Sequence, residues 1–141
     1  MTRSIAVFVL LFCVLSVYAE TVQQTPAATE CTRKDLQETV DKYLDALEKG
    51  IPSLMPLAPD AKYIENRKEI AFGQGIWQAP LTIDFQRSLI DVDICETYSE
   101  IIHTSSSHPY VIGTRLKVVN GKIAEVESLV SDDDDWLFDA A

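Results

Sequence analysis

The sequence predicts an α+β domain in which helical segments pack on one face of a curved, mainly antiparallel sheet. Three observations point there. One strongly amphipathic helix stands near the start of the chain, and every later periodic segment is short and strand-like. Proline and glycine breaks separate those segments. The chain then runs into a long hairpin, Tyr110–Val130, whose Asn120-Gly121 turn suits a two-residue type I′ loop because both central residues need positive φ.

At the N-terminus, Arg3 precedes an apolar run, Ile5–Val17, and Ala19 follows in a small-residue cleavage context. This predicts a signal peptide over residues 1–19; the apolar run is short of the ~20 residues that span a bilayer. Residues 20–30 are polar and aperiodic and are expected to be a disordered lead-in to one domain over 31–141. Thr32, with Asp35 three residues on, predicts a capped helix over about 33–49. Leu36, Val40, Tyr43, Leu44 and Leu47 share its apolar face, and Gly50 marks its stop.

The proline-rich stretch 51–60 allows a short helical turn at most. Short strands are expected at 62–65 and 68–72, joined by an Asn66-Arg67 turn. Gly73-Gln74-Gly75 breaks the second, and 76–79 makes no more than a helical turn before Pro80. Strands are expected over 85–93 and 94–103, then a loop over 104–109 and the hairpin. An acidic run, Ser131–Asp135, and an apolar cluster, Trp136-Leu137-Phe138, complete the chain.

Composition bounds the partners. The whole chain has a formal charge of −10, and because the leader carries only Arg3 the mature chain would stand at −11. So acidic a surface repels polyanions, which argues against nucleic acid and, after signal cleavage, against anionic membranes. Cys13 leaves with the leader. Cys31 and Cys95 remain, and in an oxidising compartment an even count favours a disulfide over two buried thiols.

Counting back from the turn without interruption sets Leu116 opposite Glu125 and Thr114 opposite Glu127. One hairpin face then carries Tyr110, Ile112, Thr114, Leu116, Val118 and Ile123 together with Glu125 and Glu127, with Arg115 on the other face. An apolar sheet face bearing a few carboxylates reads as a small-molecule cavity or as a half-wet sheet edge.

The stretches YLDAL-x-x-G, YIEN, G-x-G-x-W and RLKV-x-x-GKIAEVESLV resemble a SnoaL-like family, largely of secreted fungal proteins, within the nuclear transport factor 2-like superfamily. The resemblance implies a cone: a curved sheet wrapped around the helices, with a pocket at the open end. It also implies a cofactor-free isomerase, cyclase or lyase acting on a small apolar metabolite of polyketide or terpenoid type. The superfamily equally contains non-catalytic ligand-binding and interaction domains, so fold alone does not choose. A homodimer through the outer sheet face is expected.

Such chemistry needs a base and a hydrogen-bond donor in an apolar pocket. The candidate catalytic residues are Glu125 and Glu127 on the hairpin, and Tyr63 with Glu65 on one face of a strand. Trp77, Thr114 and Leu116 are candidate pocket walls. His103 and His108 flank a serine-rich loop and read as solvent-facing. No metal is expected: the histidines lack zinc-type spacing, and Asp132–Asp135 lacks a glycine-containing calcium loop.

Overall fold

A computed structural model describes residues 31–104 and 108–135. The expected leader (1–19), the lead-in (20–30), Ser105–Ser107 and the Trp136-Leu137-Phe138 cluster lie outside the described residues.

Helix α1 spans Arg33–Lys49 with the anticipated capping box: Asp35 N–H donates to the Thr32 hydroxyl, and Thr32 N–H donates back to the Asp35 carboxylate, both at 3.2 Å. Gly50 ends it, its N–H reaching back to the carbonyls of Ala46 and Leu47. Leu36, Val40, Tyr43, Ala46 and Leu47 are buried against the sheet. A 3-10 turn, Pro52–Leu54, follows.

Among the described residues six strands form one sheet: β1 (Leu57–Glu65), β2 (Lys68–Ile70), β3 (Phe85–Asp91), β4 (Glu96–His103), β5 (Tyr110–Val119) and β6 (Lys122–Asp132), in the order β2-β1-β6-β5-β4-β3. The sheet is mixed, because β1 runs parallel to β6 while every other neighbouring pair is antiparallel. β1 begins five residues earlier than the sequence suggests. Its register against β6 jumps between Leu57 and Lys62, and Pro59 falls in that irregular stretch, where a residue without an N–H disturbs the ladder least. β3 and β4 are separated by a turn at Val92–Cys95, where a continuous pair of strands was expected.

The Cys31–Cys95 disulfide forms, with a Cα–Cα distance of 5.7 Å. It ties the lead into α1 to the β3–β4 turn. Between helix and sheet, Tyr43, Leu47, Tyr63, Trp77, Ile101, Ile112, Leu116, Ile123 and Val126 make one continuous core.

Candidate active site in the interior of the cone

The Asn120-Gly121 turn forms as expected, with φ of 52° and 71°, and Val119 pairs with Lys122 and Val118 with Ile123. Beyond that point the simple count fails. The register shifts between Lys117 and Val118, leaving Ala124 as the extra residue of a β-bulge, so that Lys117 faces Glu125, Leu116 faces Val126, Arg115 faces Glu127 and Thr114 faces Ser128. A one-residue slip exchanges the two faces of a strand. Glu125 and Glu127 therefore leave the apolar face and join Arg115 on the outer one. This corrects the expectation that they line the interior, and equally the separation of Arg115 from them.

On the outer face the Arg115 guanidinium gathers three carboxylates. It donates to Glu96 at 2.9 Å, to Glu127 at 2.9 Å and to Glu125. Burial pulls the guanidinium pKa down, but hydrogen bonds to Glu127 and Glu125 outweigh it and raise the net value. These carboxylates are occupied by a cation and face away from the core.

Thr114 and Leu116 point inward and are fully buried. Thr114 is the middle of a buried chain of hydroxyls: Tyr43 Oη donates to Thr114 Oγ1 at 2.7 Å, and Thr114 Oγ1 lies 2.9 Å from Ser128 Oγ. Sequence reading missed Tyr43 and Ser128 as members of this site. For Tyr43 a signal existed, since a phenol on the apolar face of a helix needs a partner once buried. Ser128 was hidden by the bulge.

Tyr63 and Glu65 project from β1 into the same interior, where the Tyr63 hydroxyl donates to the Glu65 carboxylate. Ile76 N–H donates to the same carboxylate oxygen at 3.0 Å, which fastens the 3-10 turn Gly75–Gln78 to β1. Gly75 is required at this point. Its φ is +60°, and a Cβ there would collide with both Glu65 oxygens. Burial, followed by the hydrogen bond to Glu65, pushes the Tyr63 phenol far above its ordinary pKa, and burial does the same to Tyr43. Both remain neutral donors at physiological pH.

The turn places Trp77 in the core, 2% exposed. Its ring meets those of Tyr43 and Tyr63 edge-on, with centroids 6.0 and 6.3 Å away, and Phe72 stacks on Tyr63 at 5.4 Å. Trp77 Nε1 is buried without a hydrogen-bond partner among the described residues. A buried donor left unpaired costs roughly 1–3 kcal/mol, so one in this position invites an acceptor beyond the described residues.

The histidines depart from expectation. His103 lies on the inner face of β4, 7% exposed, with Nδ1 2.6 Å from the Thr82 carbonyl. His108 is half-buried between Asp132, 3.1 Å from Nε2, and Asp133, 2.7 Å from Nδ1. His108, Asp132, Asp133 and Asp134 bring ligand-type atoms within 4.8 Å of one another, a grouping that sequence spacing did not reveal. The hydrogen bond to Asp132 raises the imidazole pKa, which favours its protonated form beside this acidic turn.

The family described as a domain of unknown function (DUF8021) matches residues 29–130. No curated protein matches the chain. Among solved structures, a protein of unknown function with a cystatin-like fold from Methylobium petroleophilum is 15% identical, with TM-score 0.57 over 72% of this chain and 79% of that one. A proposed ketosteroid isomerase from Kribbella flavida is 16% identical, with TM-score 0.50 over 70% and 78%. A nuclear transport factor 2-like protein of unknown function from Burkholderia xenovorans is 12% identical, with TM-score 0.51 over 75% and 88%. At such identities the likeness establishes the fold: an α+β cone of the nuclear transport factor 2-like type.

Proposed function

The chain belongs to this domain-of-unknown-function family, and we propose that its cone takes up a small, largely apolar carbonyl compound and moves a proton on it without a cofactor. One observation carries the reading. A carboxylate, Glu65, and a donor with no acceptor in the described chain, Trp77 Nε1–H, share one aromatic interior, linked through the Ile76 backbone. The likeness in fold to a proposed ketosteroid isomerase supports it as analogy.

In this reading a ligand carbonyl oxygen accepts the Trp77 hydrogen bond, which stabilises the negative charge that develops there. Glu65 takes the proton from the adjacent carbon and returns it to a second carbon of the same molecule, so that nothing is consumed. Tyr63 fixes the orientation of Glu65 and supplies no proton. The Cys31–Cys95 disulfide suits an oxidising compartment, and no helix among the described residues is long and apolar enough to cross a membrane. The disulfide fits action along or beyond the secretory pathway.

The test is deuterium exchange. The oxidised chain is incubated in D2O with a steroid 3-ketone, a decalone and an ionone, and deuteration beside the carbonyl is followed by NMR. Exchange above the buffer rate is expected for at least one ketone, falling about a hundredfold or more in Glu65→Gln. In a Trp136→Phe background the indole N–H signal of Trp77 should shift on addition of the same ketone. If none of the three gives exchange or an indole shift, the reading fails.

A non-catalytic binding protein is the second reading. It is favoured by the way Glu65 is already held by Tyr63 and Ile76 and packed close against Gly75, as an anchor for the turn would be. An indole shift with no exchange selects it.

A further inference from the structure

The two edges of the sheet are built differently. β2, at one end, has three residues, Lys68–Ile70, and two of them are charged. Short, charged edges resist further pairing. β3, at the other end, has seven residues, Phe85–Asp91, with neither proline nor lysine. It shows no register shift against β4. Its outward-facing side chains are exposed, Phe85 to 49% and Leu89 to 70%. Long, regular edges that expose large apolar side chains in this way accept another strand.

We propose that β3 is a self-docking edge: a second copy of this chain adds its own β3 antiparallel, with the two-fold axis at Leu89, so that two sheets become one. The charges select that register. Antiparallel pairing centred on Leu89 sets Leu89 against its copy, Ser88 against Ile90 and Arg87 against Asp91, the last twice by symmetry. Within one copy Asp91 lies opposite Glu96, a like charge, and its carboxylate accepts a hydrogen bond from Asp93 N–H at 3.0 Å but has no cation beside it among the described residues. Arg87 of the second copy meets that carboxylate. Its guanidinium already pairs with Glu100 in its own chain, so in the pair it bridges two acids.

The apolar contact is continuous as well. Tyr98, 47% exposed, lies opposite Leu89 on β4, giving an unbroken row of Tyr98, Leu89 and their two symmetry copies. The same register carries Phe85 of the second copy toward a groove of about 490 Å³ lined by Leu89, Val92, Ile94 and Tyr98. Val92 and Ile94 are themselves 39% and 61% exposed. This contact lies along the sheet edge, distinct from packing through the outer face, and does not depend on what the cone binds.

Sedimentation equilibrium on the oxidised chain tests it through charge reversal. The wild type is expected to dimerise. Arg87→Asp sets two acids against each other across the axis, and Asp91→Arg sets two cations, so each alone should raise the dimer Kd at least about tenfold. An equimolar mixture of the two variants restores both pairs and should dimerise again. Leu89→Lys, at an exposed position where the monomer fold loses little, is a second variant expected to dissociate the dimer. A monomeric wild type, a dimer indifferent to all three substitutions, or two monomeric variants that fail to combine on mixing would overturn the proposal.

Discussion

The two faces of the sheet hold their carboxylates in opposite ways. Inside, Glu65 is satisfied by neutral donors, a phenol and a backbone N–H, among aromatic rings. Outside, Glu96, Glu125 and Glu127 share one guanidinium whose side chain is 31% exposed. A partly buried carboxylate served by dipoles is held by geometry, whereas a surface carboxylate matched to a cation is part of the charge balance of the fold. For Glu125 and Glu127 the choice of face depends on a single residue, Ala124, which sets the phase of β6.

If the faces differ in this way, substitutions on the outer face should respond to salt and those on the inner face should not. Thr114→Val removes the acceptor of the buried Tyr43 hydroxyl and the partner of Ser128 while conserving shape. The expected loss is about 2 kcal/mol by urea denaturation, the cost of stranding a buried hydroxyl, and it should not change with ionic strength. A loss that vanishes at high salt would mean that charge, and not the hydroxyl chain, organises the interior.

Arg115→Met should cost less, about 1 kcal/mol at low ionic strength, because its partners stay partly hydrated. The loss comes from mutual repulsion of three unmatched glutamates and should shrink toward zero near ~1 M salt, where the Debye length is ~3 Å. Should the cost be larger than that of Thr114→Val and indifferent to salt, the outer cluster would be supporting the fold through packing of the arginine stem, and the contrast between the faces would collapse.

What was legible in the sequence was local. The helix and its cap depend on spacings of three and four residues, and the Asn120-Gly121 turn depends on two. The strand phase after the turn did not yield to counting, because a bulge is a choice between two in-phase solutions. One buries Glu125 and Glu127; the other, reached by looping out Ala124, buries Val126 and Ser128. Desolvating two carboxylates is far costlier than one irregular residue, and that energetic comparison was available from the sequence even though the count was not. His103 shows a related error. It continues the inward alternation of Thr97, Ser99 and Ile101, but the serine-rich segment after it made it look like a loop residue. The joining of Tyr63, Glu65 and Trp77 needed the β1–turn contact, which separates residues 65 and 76 in the chain and has no periodic signature. Strand alternation put Tyr63 and Glu65 on one face and family likeness suggested Trp77 as a wall; the hydrogen bonds to Glu65 and the ring contacts of Trp77 give them their arrangement.

The smallest expected effect sits at the rim, where His108 combines features of both faces: a titratable ring, half-buried, against an acidic turn. The hydrogen bond to Asp132 raises its pKa most, burial opposes this, and Asp133 adds to the rise. A raised folded value means that the imidazolium stabilises the fold fully below the unfolded pKa of ~6.5, and that this contribution is lost as pH rises through the folded value. The melting-temperature gap between wild type and His108→Gln should therefore be widest in mildly acidic buffer and close as the solution becomes alkaline. It should also narrow with added salt, as for Arg115 and unlike Thr114. A gap that is flat with pH would show that the ring contributes through its edge-on contact with Tyr110, at 5.1 Å, and that the acidic turn holds together without a cation.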